Sequence, residues 1–401
     1  TVTTMVAGKG YFVDNSSAAG IVKLPAAASI GDFVVIKDYA GNFGTNNLTI
    51  QRNSHNIQGV ANDSIIQTNR ASVVLVYVDA TKGWLYTDEH NVADLQSPAF
   101  ISATGGTVTT SGNDKIHTFT GDGNFVVSQI GIPVGCNGGP NSVSYMVVAG
   151  GGAGAGSGGI GGGGGAGGYR SSGYGPSPLR GSAITLSAQT YPITVGGGAA
   201  AYHPAYSPGS FDSNASGKGS NSVFSTITST GGGGGGVGGS TSAPGHGGPG
   251  GSAGGGNGGW GTPGGTGNTP PVSPPQGNNG GTANCSSPSS PGTRYAGGGG
   301  GGAGATGSNG AGPPRVGGAG GAGVPNTITG SDVTYAGGGG AGGTGGGGSG
   351  GAGGGGDGNP CGPPSGNQTA GVNTGGGGGG GGNNVAGAGG KGIVVIRYKF
   401  Q

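Results

Sequence analysis

Uninterrupted runs of glycine constrain this chain more than any other feature. The runs occupy residues 161–165, 231–236, 297–302, 337–340, 345–348, 353–356 and 375–382. Ordering one residue costs about 1–2 kcal/mol of backbone entropy, and glycine loses more freedom than any other residue. Glycine also brings no side chain to bury. Such runs are flexible linkers unless their backbones pack together and satisfy each other's N–H and C=O groups.

A polyproline-II-like helix meets that requirement. It has three residues per turn and no internal hydrogen bonds, and only glycine fits where such helices crowd together. Residues 150–390 hold 96 of the 114 glycines and eight of the 28 charged residues. We therefore predict a polyglycine-II bundle over this segment, with rods running up and down between turns rich in Pro, Ser and Asn. The glycines keep no strict three-residue period, which excludes collagen.

The remaining segments read as β-structure, with no helical periodicity of note. We predict strands in short runs rich in β-branched and aromatic residues. These runs are 32–39, 47–52, 71–79, 83–87, 115–120, 124–128, 143–148 and 392–400. The strand at 143–148 precedes the glycine-rich segment and the strand at 392–400 follows it. We expect these two strands to be neighbours in one sheet, so that the glycine-rich segment leaves the sheet and returns to it.

The predicted fold class is thus all-β N-terminal modules, then a glycine-rich bundle closed by a C-terminal β-strand. The predicted divisions are a small β module at 1–90, a linker at 91–99, a β platform at 100–149, the bundle at 150–390 and the closing strand at 391–401. The first module is small for a lone core, and oligomerisation, as in a trimeric knob, would stabilise it.

Composition and motifs exclude several classes of function. The net charge of +2 argues against nucleic-acid binding, and no apolar run is long enough for a membrane helix. Glycine-rich nucleotide motifs are expected by chance in this composition, and none opens a helix after a strand. The five histidines are isolated, so neither a metal nor a cofactor is predicted. His117 lies on an alternating strand and is expected at the surface.

Loops stiffened by proline lie between the glycine runs and carry the candidate contact residues. Trp260 is the foremost of them, either as a stacking anchor or as a cap on the end of the bundle. Weaker candidates are Tyr202, His203, Tyr206, Phe211, His246, Arg294, Tyr295 and Arg315. Tyr295 precedes a glycine run as Tyr335 does, so a structural cap is its alternative role. Cys285 and Cys361 are either bridged or unpaired thiols.

Several segments resemble the glycine-rich domain of phage tail-fibre and tail-tip proteins. They are 145–152 (YMVVAGGG), 166–170 (AGGYR), 189–198 (QTYPITVGGG), 219–224 (GSNSVF), 273–281 (SPPQGNNGG) and 392–398 (GIVVIRY). Residues 1–90 resemble a small, often trimeric β module of tail fibres through 10–14 (GYFVD), 46–49 (NNLT) and 79–84 (DATKGW).

The resemblance implies a non-enzymatic adhesin on the virion tail fibre, outside the cell. Its partners would be a bacterial surface receptor (an outer-membrane protein or a polysaccharide) and other tail-fibre proteins, within a homotrimer. It implies no nucleic-acid partner and no membrane insertion. Two alternatives remain open: a structural subunit of an extracellular filament or sheath, and a capsule depolymerase. Asp212 and Asp332 would be the carboxylate pair for the second.

Overall fold

The chain forms two compact units, Thr1–Gln96 and Ser97–Gln401, in a computed structural model. The structure describes residues 2–91, 99–132, 138–157, 160–201, 217–237, 245–258, 261–285, 295–360, 368–382 and 386–401. The described residues contain β-strands and no α-helix. Accordingly, no helix among them has the length and apolar character of a membrane span.

The N-terminal unit consists of two four-stranded sheets. Its strands are β1 (Thr3–Thr4), β2 (Lys9–Val13), β3 (Gly20–Lys23), β4 (Phe33–Asp38), β5 (Leu48–Gln51), β6 (Ser64–Ile66), β7 (Ala71–Asp79) and β8 (Gly83–Asn91). One sheet has the order β1-β3-β5-β6 and the other β2-β4-β7-β8. The strand predictions at 32–39, 47–52, 71–79 and 83–87 are confirmed, the third with its predicted bounds.

The core of this unit lies between the two sheets. Alternate residues of β7 are buried, as its alternating apolar pattern requires. Trp84 is fully buried and packs edge-on against Tyr77, with ring centroids 5.6 Å apart. Asp38 at the end of β4 accepts hydrogen bonds from the backbone N–H groups of Gly41, Phe43 and Arg70 and so fixes the following turn.

In its described residues, the second unit contains the other eighteen strands. In its first half these are β9 (Ser102–Thr104), β10 (Thr107–Ser111), β11 (Asp114–Phe119), β12 (Gly123–Gln129), β13 (Ser142–Val148), β14 (Gly156–Ser157), β15 (Tyr169–Ser172), β16 (Arg180–Gly181), β17 (Ile184–Thr185) and β18 (Thr190–Thr194). The remainder are β19 (Ser222–Phe224), β20 (Ile227–Ser229), β21 (Asn284–Cys285), β22 (Tyr295–Ala296), β23 (Val324–Asn326), β24 (Val333–Tyr335), β25 (Gly381–Gly382) and β26 (Ile393–Lys399).

Two sheets of this unit pack face to face. The larger has the order β10-β11-β26-β13-β15-β16, with β17 also paired to β13, and the smaller has the order β20-β19-β18-β12-β9. Phe125, Tyr191 and Phe224 from the smaller sheet meet Tyr145 and Ile396 from the larger one in a single apolar core. The predicted pairing across the glycine-rich segment is confirmed, because β13 and β26 are antiparallel neighbours over five residue pairs.

His117 corrects the expectation of a surface histidine. Its side chain is fully buried, next to Phe125, with ring centroids 5.0 Å apart. The alternation along β11 did not indicate a solvent-facing side because both faces of the larger sheet are covered: Ile116, the preceding residue, is buried on the other face. Burial lowers the pKa of His117, and the charge of Lys115 acts in the same direction, against the hydrogen bond to Gly105.

The second face of the larger sheet is covered by the glycine-rich segment. Met146, Val148 and Val395 from the sheet form an apolar cluster with Ala166 and Tyr335 from that segment. Ala166, Ala303 and Ala336 therefore have a role that glycine cannot fill, since their methyl groups supply the apolar contact between the glycine-rich segment and the sheet.

The glycine runs themselves are joined by backbone hydrogen bonds in a regular pattern, as residues 161–168 illustrate. Successive N–H groups donate to three different segments in rotation and return to the first segment after three residues. The donor–acceptor pairs are Gly161–Gly381, Gly162–Gly236, Gly163–Gly298, Gly164–Gly378, Gly165–Gly233, Ala166–Gly301, Gly167–Gly375 and Gly168–Thr230. All of these N···O distances lie between 2.8 and 3.1 Å.

The carbonyl groups of the same run bind three further segments. The carbonyl of Gly162 accepts from Ala155, that of Gly163 from Gly255 and that of Gly164 from Gly339. Residues 161–168 thus have six backbone neighbours and almost no water-facing polar group. This pattern satisfies the backbone of a segment that has neither helix nor ladder hydrogen bonds of its own.

The close approach of these neighbours explains why glycine is required. A Cβ added at Gly163 would meet the backbone carbonyl of Gly339 closer than 3.0 Å, and one at Gly164 would meet that of Gly152. Real Cβ atoms do not tolerate such contacts with backbone, so the main chain would have to move.

Candidate functional site

The runs extend from the larger sheet to a common opposite end. Residues 161–168 show this: the run is followed by Tyr169 in β15, which pairs with β13. At its other terminus, Gly161 and Gly162 bind Gly381 and Gly236. The segments 158–159, 238–244, 259–260, 286–294, 361–367 and 383–385 lie outside the described residues.

The flanking residues of three of these segments meet in a buried polar cluster. Asn257 donates from Nδ2 to the carbonyl of Ile160, and Thr262 donates from Oγ1 to the carbonyl of Gly245, at 2.7 and 2.9 Å. Asn257 and Thr262 are 0 and 3 % exposed. Because Ile160, Gly245 and Gly258 each border a different segment, the cluster fixes the bases of all three against one another.

A second group of flanking residues surrounds a short hairpin formed by β21 and β22. Cys285 pairs with Tyr295, and Ala296 forms a bridge with Gly343. Gly343 in turn forms a bridge with Pro360, which borders the segment 361–367. The hairpin also lies next to the first group. Gly261, which directly follows the segment 259–260, is so close to the hairpin that a Cβ added to it would lie 3.7 Å from the Cβ of Cys285.

We define the loop end as these two groups of flanking residues together with β14 and β25. β14 and β25 belong to it because they pair in parallel next to 158–159 and 383–385. Chain connections that are far apart in sequence therefore start from one end of a backbone-bonded scaffold. Loops held on rigid elements in this way are suited to recognition, because few degrees of freedom are lost on binding.

Three of the predicted contact residues are described, and all three lie at the loop end. His246 is exposed and Tyr295 is half-buried. Arg315 is only 8 % exposed, and its Nη1 donates to Oδ1 of Asn284 at 2.7 Å. The guanidinium of Arg315 thus joins its turn to the hairpin and presents little surface of its own.

The other predicted contact residues lie outside the described residues. They are Trp260, Tyr202, His203, Tyr206, Phe211 and Arg294. Cys361 also lies outside the described residues. The two alternatives for Cys285 and Cys361, a disulfide bridge or unpaired thiols, therefore stay predictions. Of the carboxylate pair considered for hydrolysis, Asp332 is exposed in the turn before β24, whereas Asp212 lies outside the described residues.

Sequence reasoning missed the polar residues that organise the loop end. Asn257, Thr262 and Asn284 have no motif around them. Asn257 and Thr262 donate to backbone carbonyls, and Asn284 accepts from the guanidinium of Arg315. In the sequence, the only indication of these residues was that an amide or hydroxyl side chain follows a glycine-rich stretch. Within the described ranges, no group of three or more His, Cys, Asp or Glu residues could hold a metal ion.

Comparison with known proteins gives a family for most of this unit. A family model described as a glycine-rich domain matches residues 120–399, which is more than half of the chain. No curated protein sequence matches the chain significantly. The matched range runs from the residues before β12 to the end of β26 and includes all the glycine runs, whereas β9, β10 and β11 of the two sheets precede it. The chain therefore belongs to the glycine-rich domain family.

Proposed function

We propose that the glycine runs are polyglycine-II-like helices and that the chain is a phage tail-fibre adhesin. The three-residue rotation of donor partners along 161–168 supports the first part, because three residues per turn is the period of such a helix. Its six neighbours correspond to close packing of parallel and antiparallel rods.

The observation that carries the adhesin proposal is the loop end. Connections rich in Pro and Ser, with Trp260 as their aromatic residue, start together from a scaffold whose backbone is held by hydrogen bonds on all sides. In this proposal they bind an outer-membrane protein or polysaccharide of the bacterial host. Trp260 is the main anchor, with support from His246 and Tyr295. The chain would lie at the tip of the virion tail fibre and would bind other tail-fibre proteins.

A homotrimer is part of the proposal, and the N-terminal unit supports it. The sheet β2-β4-β7-β8 has apolar residues on both faces: beside the core face, its outer face carries Phe12, Phe33 and Val76. Phe12 is 77 % exposed and Phe33 is 43 % exposed. Lys37, which pairs with Phe12, lies on the same face. Exposed phenylalanines on one face of a sheet favour a surface that another subunit covers.

Inhibition of phage adsorption by the purified chain tests the adhesin proposal at residue level. Loss of an aromatic anchor typically costs about 2 kcal/mol or more, so Trp260→Ala should raise the half-inhibitory concentration roughly 30-fold. Val372→Ala is the matched control, because Val372 is 78 % exposed in the turn that leads into Gly375 at the sheet side of the runs. Equal inhibition by both variants would remove Trp260 from the binding site.

Immunogold electron microscopy with an antibody against residues 150–390 tests the location. Gold at the ends of fibres on virus particles supports the adhesin. Gold along the length of extended filaments would contradict it and favour a filament or sheath subunit. A decrease in polysaccharide size on incubation with the chain would instead favour a depolymerase.

A further inference from the structure

A polar cleft lies at the edge of the larger sheet, away from the loop end. Its volume is about 590 Å³, within the range of small-ligand sites. β13, β15 and β16 form one wall, and the turn between β19 and β20 forms another. Ser273 and Pro274 of the proline-rich segment complete it.

The cleft concentrates positive charge in a region that has very little charge. Residues 150–390 contain five basic residues, and two of them, Arg170 and Arg180, line this cleft, with no acidic residue among its lining. The backbone of Arg170 pairs with that of Val147, whereas its guanidinium has no hydrogen bond or ion pair with any described residue. Arg180 donates from Nε to the carbonyl of Gly175 at 2.8 Å, which holds its guanidinium in place.

Tyr145 provides an independent indication of a ligand. Its side chain is 2 % exposed, yet no described residue accepts or donates a hydrogen bond at its hydroxyl. That hydroxyl lies at the cleft wall, where a Cβ added to Gly181 would be 3.2 Å from it. Burial raises the pKa of Tyr145 and the charge of Arg170 acts in the opposite direction, so the phenol is a protonated donor close to a guanidinium.

We propose that this cleft binds an anionic saccharide, a sugar unit that carries a carboxylate or phosphate group. Arg170 pairs with the anionic group, since guanidinium forms charge-assisted, often bidentate hydrogen bonds with both kinds of oxyanion, and Arg180 adds positive charge at the rim of the cleft. The hydroxyl groups of Tyr145, Ser182 and Thr226 bind the sugar hydroxyls.

The rest of the lining distinguishes a sugar from a free inorganic anion. Ile184, Ile227 and Pro274 contribute apolar surface to the cleft, which the C–H faces of a sugar ring can cover. The inference does not depend on the adhesin proposal, because none of the cleft residues belongs to the loop end.

Isothermal titration of the full chain tests this site. The probes are an oligosaccharide of glucuronic acid, a phosphorylated oligosaccharide of glucose and a neutral oligosaccharide of glucose of the same length. Binding of either acidic probe, at least tenfold tighter than the neutral one, is expected. A charged hydrogen bond contributes about 1.5–3 kcal/mol, so Arg170→Gln should weaken acidic binding about tenfold or more.

Two further variants distinguish the loss of a specific contact in the cleft from a general effect of charge or folding. Tyr145→Phe preserves packing and should weaken binding severalfold through loss of the hydroxyl alone. Lys218→Gln changes the net charge as Arg170→Gln does, at an exposed position outside the cleft, and should leave binding unchanged. Equal affinity for the acidic and neutral probes, or equal weakening by Lys218→Gln and Arg170→Gln, would overturn the inference.

Discussion

His117 and Tyr398 are 281 positions apart in the chain and share a hydrogen bond of 3.1 Å. His117 donates from Nδ1 to the carbonyl of Gly105, at 2.7 Å, because a carbonyl oxygen only accepts. Burial lowers the pKa of His117, so the imidazole is neutral at pH 7 and its Nε2 accepts from the Tyr398 hydroxyl. His117 precedes the glycine-rich segment and Tyr398 follows it. The hydrogen bond therefore joins, within one sheet, the chain before this segment to the chain after it.

We predict that acid destabilises the second unit through His117. Its folded-state pKa is lowered, so the unfolded chain binds a proton first as pH falls below about 6.5. The free energy of unfolding should decrease from that pH down to the folded-state pKa. Calorimetry at pH 8 to 5 should show a smaller loss for His117→Gln than for the wild type. Parallel pH profiles would contradict the prediction.

Alkali should act on Tyr398. Burial raises its pKa to about 12, while a hydrogen bond from the Ala103 backbone acts in the opposite direction. The unfolded chain loses this proton near pH 10, so stability should fall as pH rises from about 10 towards 12. Tyr398→Phe should remove this part of the alkaline loss, as the pH dependence of the urea midpoint would reveal. An unchanged alkaline slope would argue against a raised pKa.

Gly163→Ala should destabilise the chain by roughly 1–3 kcal/mol or more, because its Cβ would force the run away from Gly339. Gly197→Ala is the control. Gly197 lies in the short glycine stretch 196–198, and a Cβ there meets nothing within 4 Å. Thermal unfolding should separate the two variants clearly. Equal melting temperatures would mean that the runs are not closely packed.

Arg397 connects three segments of the second unit. It forms an ion pair with Asp114 at 2.9 Å, stacks over Tyr174 at 4.3 Å and donates to the carbonyl of Ile328 at 3.3 Å. Its side chain is 11 % exposed and that of Asp114 is 24 % exposed. Arg397→Met should cost about 2 kcal/mol, less than for a fully buried pair, and Arg397→Lys should cost less still. Additivity with Asp114→Asn in a double-mutant cycle would contradict a coupled pair.

The outer face of the N-terminal sheet should mediate trimer formation. Phe33→Asp places a charge on this face and should reduce the mass measured by light scattering from three chains to one. Ile65→Asp is the control, because Ile65 is 57 % exposed on β6 of the other sheet. A monomeric wild-type chain, or dissociation by both variants, would contradict the proposed surface.

The strands could be predicted from the sequence because their side chains have a period of two. β7 and the pairing of β13 with β26 follow from such patterns. The partners of Gly163 and Gly164 could not be predicted, since a run of identical residues without side chains does not encode which neighbour each residue meets. His117 shows a different limit, because alternation marks an exposed face only where one side of the sheet remains uncovered. At the loop end, Asn257 and Thr262 act through backbone carbonyls that no sequence motif specifies.

Amide hydrogen exchange of residues 161–168 tests the central structural claim most directly. If each N–H in this run is bonded to a neighbouring run, exchange requires opening of the whole second unit. We expect the amides of Gly163 and Gly164 to be protected as strongly as those of β13 and β26. Exchange of these glycines at the rate of an unstructured peptide, with the strands still protected, would contradict it.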